Sequence, residues 1–332
     1  MIYTKTPFRM SFFGGGTDMK QYFEEHGGAV LSTTFDKYCY VSVRHLPRFF
    51  DYKNQLTYSK IEKVASVDEL EHPLVRNAMK FLDMHELCIS YDADLPARSG
   101  LGSSSSFAVG LLNAFHALKG QYASKEQLAK EAIYVERELC AESGGWQDQI
   151  AAAYGGMNRI NFGPNGFEVN PVIIQKERKE LLNKNILMFF TGFSRFSSEI
   201  EKEKVKVIRD KTAELRELVQ MVDVGESILT DRHGDLDEFG RLLHHAWQVK
   251  RGIGKGVSTD ALDEIYQRAI KHGAIGGKLL GAGGGGFFIF YTPEEYRPAV
   301  KQALKDLLYV PFRFEDSGTK ILYYRPEDYI AD

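Results

Sequence analysis

Apolar residues recur along this chain with two periods, and the segments they mark switch irregularly between strand and helix. Residues 3 to 13 are β-branched and aromatic enough for a strand, as is Ala29 to Leu46 with Thr33, Tyr38, Tyr40, Val41 and Val43. Met19 to His26 between them fits a short helix. Leu70, Leu74, Ala78, Phe81 and Leu82 have the spacing of a helix from Asp68 to His85. Cys88 to Leu95 alternates like a strand, and an apolar-patterned helix follows from Phe107 to about Leu118. Leu128, Ala132, Val135 and Leu139 share one face of a helix from Lys125 to Cys140. Glycine pairs enclose a short helix over Trp146 to Gly156, and residues 157 to 174 read as two strands around Gly163-Pro164-Asn165-Gly166. The charged run Lys176 to Lys184 is the candidate domain boundary. Beyond it lie a buried-type strand, Asn185 to Thr191, and helical patterns over Ser197 to Leu229, Leu236 to Arg251 and Thr259 to His272. Strand Phe287 to Tyr291, helix Glu294 to Leu308, and strands near Val310 to Phe314 and Lys320 to Tyr324 finish the chain. Strands and helices do not alternate strictly, which predicts an α+β fold over a doubly wound sheet.

Length adds that one core is too few: 332 residues predict two domains, 1–180 and 181–332. A net charge of −3 gives no broad basic footprint, so neither nucleic acid nor a membrane surface is expected as a partner. No apolar run has membrane-spanning length and the first residues lack a signal-peptide core. Cys39, Cys88 and Cys140 fit neither a disulfide framework nor a zinc site, so a reduced, cytoplasmic protein is expected.

Candidate chemistry begins at Pro96-Ala97-Arg98-Ser99-Gly100-Leu101-Gly102-Ser103-Ser104-Ser105-Ser106. A Gly/Ser-rich loop between a strand and a helix lets the backbone approach an anion, which the unpaired N–H groups of the helix start then bind. No window fits a Walker A loop. Gly281-Ala282-Gly283-Gly284-Gly285-Gly286 formally matches a dinucleotide fingerprint, but it follows a helix and precedes a strand, the reverse of what that fingerprint needs. Gly14-Gly15-Gly16-Thr17-Asp18 marks a third turn at which something approaches the backbone.

Taken together, Pro7-Phe8-Arg9 with Ser11-Phe12 and Asp18, then Gly100-Leu101-Gly102-Ser103-Ser104, then Gly281 to Gly286, resemble the three signature motifs of the GHMP small-molecule kinases. They stand in the family's order and span nearly the whole chain. The resemblance implies a ribosomal protein S5 domain 2-like N-terminal domain, a ferredoxin-like C-terminal domain, and a kinase using ATP and Mg2+. It implies that Pro96, Arg98, Ser99, Gly100, Leu101, Gly102, Ser103, Ser104 and Ser105 wrap the nucleotide and that Ser104 and Glu136 hold Mg2+. Glu136 stands twelve residues before Asp148, the galactokinase-branch separation of metal ligand and catalytic aspartate, and Gly145-Trp146-Gln147-Asp148-Gln149 resembles the segment bearing that aspartate. Arg9 would sit beside the transferred phosphate. Ser11, Gly14, Gly15, Gly16, Thr17 and Asp18, with Gly283, Gly284 and Gly285, would meet the acceptor. Ser105-Ser106 replace the Ala-Ala of many relatives, so the choice of metal ligand among Ser103, Ser104 and Ser105 stays open.

These residue types suit phosphoryl transfer on chemical grounds, since it asks for a phosphate cradle, a metal and a cation near the moving group. Galactokinases have Gly-Glu-His-Thr-Asp where this chain has Gly14-Gly15-Gly16-Thr17-Asp18, so galactose is disfavoured. The first motif, with Gly276-Gly277-Lys278-Leu279-Leu280-Gly281, looks like the branch of the family that acts on D-glycero-D-manno-heptose 7-phosphate. That implies phosphorylation of its anomeric C1 hydroxyl to the 1,7-bisphosphate, for nucleotide-activated heptose destined for lipopolysaccharide or capsule. The alternatives are a fucokinase-like or other sugar 1-kinase, and a non-catalytic sugar sensor, against which Asp148, Glu136 and Ser104 all stand. A small-molecule sugar phosphate is the expected partner, and its own phosphate needs a cation. Lys20, Arg195, Lys250, Arg251 and Lys255, beside glycine-rich turns, are the candidates. Oligomeric state is left open.

Overall fold

The computed structural model describes residues 1–97, 99–192, 211–254 and 256–326. Two sheets carry these residues. The larger runs in the order Lys320–Tyr324, Ile2–Phe13, Gly28–His45, Leu87–Ala93, Asn54–Thr57 and Ile61–Val64. Gly28–His45 is its spine: one end pairs with Leu87–Ala93, and the other with the first strand of the hairpin Asn158–Gly163 and Gly166–Pro171. The smaller sheet is antiparallel throughout, in the order Leu308–Tyr309, Ile186–Phe190, Phe287–Tyr291 and Gly276–Leu279.

Helix Ser103–Leu118 is buried at every position but Ser104, because it lies between the large sheet and helices Lys125–Ile133 and Gln147–Tyr154. Gly110 is what lets it lie so close: a Cβ there would come within 2.7 Å of Thr6 Oγ1. On the small sheet, helices Asp237–Ile253 and Asp260–Lys271 cover a core of Trp247, Tyr266, Phe288 and Phe290. The halves share their main core. Phe239 meets Phe12 and Phe13 edge-on, with ring centroids 5.2 and 5.1 Å apart, and helix Thr212–Thr230 packs on the strand Gly28–His45.

The fold is α+β as expected, with local differences. Pro73 divides the expected Asp68–His85 helix, because its ring fits only a first turn; a single 3-10 turn, Val67–Glu69, precedes the helix Pro73–Phe81. Lys125–Cys140 is α-helical only to Ile133 and continues as a wider π turn, Tyr134–Leu139, closed by Cys140 N–H on Val135 O at 2.9 Å. The charged run folds as the helix Lys176–Asn185, anchored by buried Leu182 and Asn185. Gly276–Leu279, for which no strand was expected, is a fully buried strand. The expected Glu294–Leu308 helix is a 3-10 turn and the short helix Arg297–Ala303. Of the helix expected over Ser197–Leu229, residues up to 210 lie outside the described ones. The last strands do not stay with the second half: Phe314–Glu315 pairs with Gly28–His45, and Lys320–Tyr324 with Ile2–Phe13, so residues placed in 181–332 complete the sheet of 1–180.

Candidate active site

Strand Leu87–Ala93 delivers the chain to a loop that is held by its own atoms. Ser99 Oγ donates to Pro96 O at 2.7 Å, and Gly100 and Gly102 take the left-handed φ values +81° and +76° that glycine adopts without strain. Helix Ser103–Leu118 starts directly behind Gly102 with no capping side-chain hydrogen bond at its N-terminus. The glycine loop of the second half is pressed against this one. A Cβ on Gly281 would fall 2.4 Å from Gly100 Cα, and one on Gly286 would fall 2.2 Å from Ser99 O.

Arg9 reaches the same place from the strand Ile2–Phe13. Its Nε and Nη2 donate to the two carboxylate oxygens of Asp148 at 2.7 and 2.9 Å, and Nη1 donates to Gly100 O at 2.7 Å. Such a two-pronged pair fixes both side chains. Arg9 is buried, while the Asp148 side chain keeps 23% exposure, so the carboxylate faces the opening. Asp18 lies beyond it, buried, with Oδ1 accepting from Gly16 N–H and Oδ2 from Gln147 N–H. Burial and the nearby Asp148 carboxylate push the Asp18 carboxyl above its ordinary range, against these N–H bonds, which pull it down. Gly145 is what admits Asp18, since a Cβ there would stand 1.8 Å from Oδ2. Arg9, Ser11, Gly15, Gly16, Asp18 and Asp148 border one cavity, with Gly281 and Ala282 closing it from the second half.

A second cluster lies under the start of the helix. Glu136 is buried; Oε1 accepts from Ser104 Oγ at 2.7 Å, and Oε2 from Ser105 Oγ at 2.7 Å and Gln149 Nε2 at 2.6 Å. The π turn carries Glu136 to this position. Ser104 is exposed and Ser105 buried, so Ser104 alone of the pair also faces outward.

Some expected residues are elsewhere. The Thr17 hydroxyl is fully buried and donates to Gly14 O and Ala29 O, so it holds the turn and does not border the cavity. Gly14 packs on Ala29 behind the turn. Gly283 lies against Val257, to whose carbonyl Gly284 N–H donates, and Gly281 and Ala282 border the cavity in place of Gly283, Gly284 and Gly285. The Leu101 side chain is buried, and its carbonyl accepts from Arg9 N–H. Of the basic candidates, Lys20 is exposed near Glu24, Arg251 pairs with Asp263, and Lys250 borders the cavity. Arg98, Arg195 and Lys255 lie outside the described residues. Arg137 and Lys278 also border the cavity, and the sequence reading proposed no role for either. The signal available for Lys278 was a basic residue inside a strand otherwise made of small and apolar residues.

Comparison with known proteins supplies the wider setting. The model of the GHMP kinases N terminal domain matches residues 68–156, and that of the GHMP kinases C terminal matches residues 226–310. The D-glycero-alpha-D-manno-heptose 7-phosphate kinase of Campylobacter jejuni is 31% identical over 96% of this chain and 98% of its own. The bifunctional fucokinase/GDP-fucose pyrophosphorylase of Arabidopsis thaliana is 24% identical over 90% of this chain and 31% of its own length. Among solved structures, a D-glycero-D-manno-heptose 1-phosphate kinase from Bacteroides thetaiotaomicron has a TM-score of 0.80 at 24% identity, covering 97% of this chain and 99% of that one. Among the described residues no helix is long and apolar enough to cross a membrane.

Proposed function

The chain belongs to the GHMP kinases and is a sugar kinase, a phosphotransferase with an alcohol acceptor, and from that premise we propose that it transfers the γ-phosphoryl group of ATP to the C1 hydroxyl of D-glycero-D-manno-heptose 7-phosphate. The observation that carries the chemistry is the Arg9–Asp148 pair at the junction of the two glycine loops. In this reading the loop from Pro96 to Ser105 and the first N–H groups of the helix hold the phosphates of ATP. The C1 hydroxyl lies against Asp148, which takes its proton as the oxygen bonds to the γ-phosphorus and the bond to ADP breaks. Arg9 holds Asp148 in place and sets a positive charge beside the moving group. Asp18, each oxygen bound by one main-chain N–H, keeps a lone pair on each for ring hydroxyls.

Glu136 and Ser104 form an oxygen-only donor pair of the kind Mg2+ takes together with phosphate oxygens and water. When bound, the ion neutralises charge on the phosphates. Ser105 and Gln149 hold the second Glu136 oxygen, so Ser104 and Glu136 would be the ligands. Ser104→Ala and Glu136→Gln should each raise the Mg2+ concentration for half-maximal rate, and the double variant should cost less than the sum of the two because they serve one ion. Unchanged magnesium dependence in both variants removes this assignment.

Heptose 7-phosphate as the acceptor rests on the 31% identity to the Campylobacter enzyme over nearly both full lengths. The test is ADP release across a panel of hexoses, fucose, heptose and heptose 7-phosphate. The proposal expects heptose 7-phosphate to have the highest kcat/KM. Preference for fucose would overturn it and favour the reading that the Arabidopsis relative supports.

A further inference from the structure

The cavity beside Asp148 carries more positive charge than a neutral sugar would use. Among the described residues bordering it are four cations, Arg9, Arg137, Lys250 and Lys278, against two carboxylates, Asp18 and Asp148. Arg9 is engaged by Asp148. Lys250 belongs to the nucleotide side: its Nζ donates to Leu279 O and Gly281 O, and Gly281 abuts Gly100.

Arg137 and Lys278 stand elsewhere, on the flanks of the turn that carries Asp18. Arg137 donates through Nε and Nη2 to Gly145 O at 3.2 and 2.9 Å, and Gly145 is the residue against which Asp18 packs. Its side chain is 14% exposed, and Nη1 lies 4.0 Å from Glu142, whose own side chain is 43% exposed. Lys278 is buried and donates through Nζ to Phe12 O at 2.6 Å, two residues before Gly14. Both are thus steered by main-chain carbonyls to one cavity from different halves of the chain. A phosphate monoester brings a full negative charge and enough oxygens for two such donors to share.

We propose that Arg137 and Lys278 bind the phosphate that the acceptor itself carries, which makes the cavity selective for sugar phosphates over free sugars. This rests on the sugar-kinase reading above and assigns its distal anion site to two residues outside the glycine-turn candidates.

The experiment compares kcat/KM for phosphorylated and free forms of the same sugar in the wild type, Arg137→Met and Lys278→Met, with Arg137→Lys as the charge-preserving control. A lost charge-assisted contact should lower the ratio of phosphorylated to free sugar at least about tenfold in each Met variant, with partial recovery in Arg137→Lys. Inorganic sulfate should compete with the sugar phosphate in the wild type and do so more weakly in both variants. Melting temperatures identify a variant that fails to fold, and the other then decides. A ratio that stays unchanged, or sulfate competition against ATP alone, overturns the proposal. If a different sugar phosphate proves to be the acceptor and the ratio still falls, heptose is wrong and this site stands.

Discussion

Asp148→Asn should lower kcat by at least about a hundredfold while the protein still folds and binds ADP, since a positioned general base contributes roughly 10² to 10⁴ in rate. Two losses coincide in this variant. The carboxylate that would take the hydroxyl proton is gone, and the two-pronged contact with Arg9 cannot be remade. An asparagine oxygen can accept from Arg9 Nε, but its amide group then points N–H at Arg9 Nη2, donor against donor. Arg9 is buried, so its guanidinium keeps the Gly100 carbonyl and at best one bond to the neutral amide oxygen in place of the carboxylate pair. Some thermal stability should be lost as well. Steady-state kinetics with a titration of ADP separates the effects. A folded variant turning over at near wild-type rate would remove Asp148 from the chemistry.

Gly281→Ala should destabilise the protein by at least about 2 kcal/mol and raise the ATP KM at least tenfold. The φ of +73° costs an L-residue roughly 1 to 2 kcal/mol by itself. The added Cβ would also stand 2.4 Å from Gly100 Cα and 2.8 Å from Gly100 O, both backbone atoms that cannot swing aside. Relief requires the two loops to part, and Gly100 O is the atom that steadies Arg9 Nη1. The effect on nucleotide binding should therefore exceed what the stability loss explains. Gly252→Ala provides the contrast: it lies in helix Asp237–Ile253 with nothing within 4 Å of the new Cβ, and should leave stability equal or slightly higher. Equal behaviour of the two variants would mean that the loop contact does not matter.

The three glycine stretches were legible in the sequence because glycine marks where backbones touch, and at the junction of the halves Gly281 does meet Gly100, and Gly286 meets Ser99. The long apolar patterns gave the main strands and the buried helix Ser103–Leu118 for the same kind of reason. What could not be read was direction. Thr17 stands in a motif full of candidate contacts, yet its hydroxyl turns inward to the carbonyls of Gly14 and Ala29. The π turn at Tyr134–Leu139 left no trace, since Val135 and Leu139 continue the helical spacing across it. The hairpin of Asn54–Thr57 and Ile61–Val64 is too short and polar to stand out from a loop. Arg137 was not legible as a site residue, and Lys278 only through its setting among small and apolar residues, because a basic side chain carries no mark in sequence of the carbonyl that will orient it.

The return of the last strand has a kinetic consequence. Ile2 pairs with Tyr324 and Lys5 with Lys320, partners more than three hundred residues apart, and Phe314 pairs with Phe35. On the ribosome, the first strand of the large sheet therefore waits with one edge open until more than three hundred further residues have been synthesised. Loop closure over such a separation is slow, and an open strand edge is the feature through which unfinished chains stick to one another. Refolding from denaturant should accordingly show a late phase in which protection of the Ile2–Lys5 amides against hydrogen exchange lags behind that of helix Ser103–Leu118.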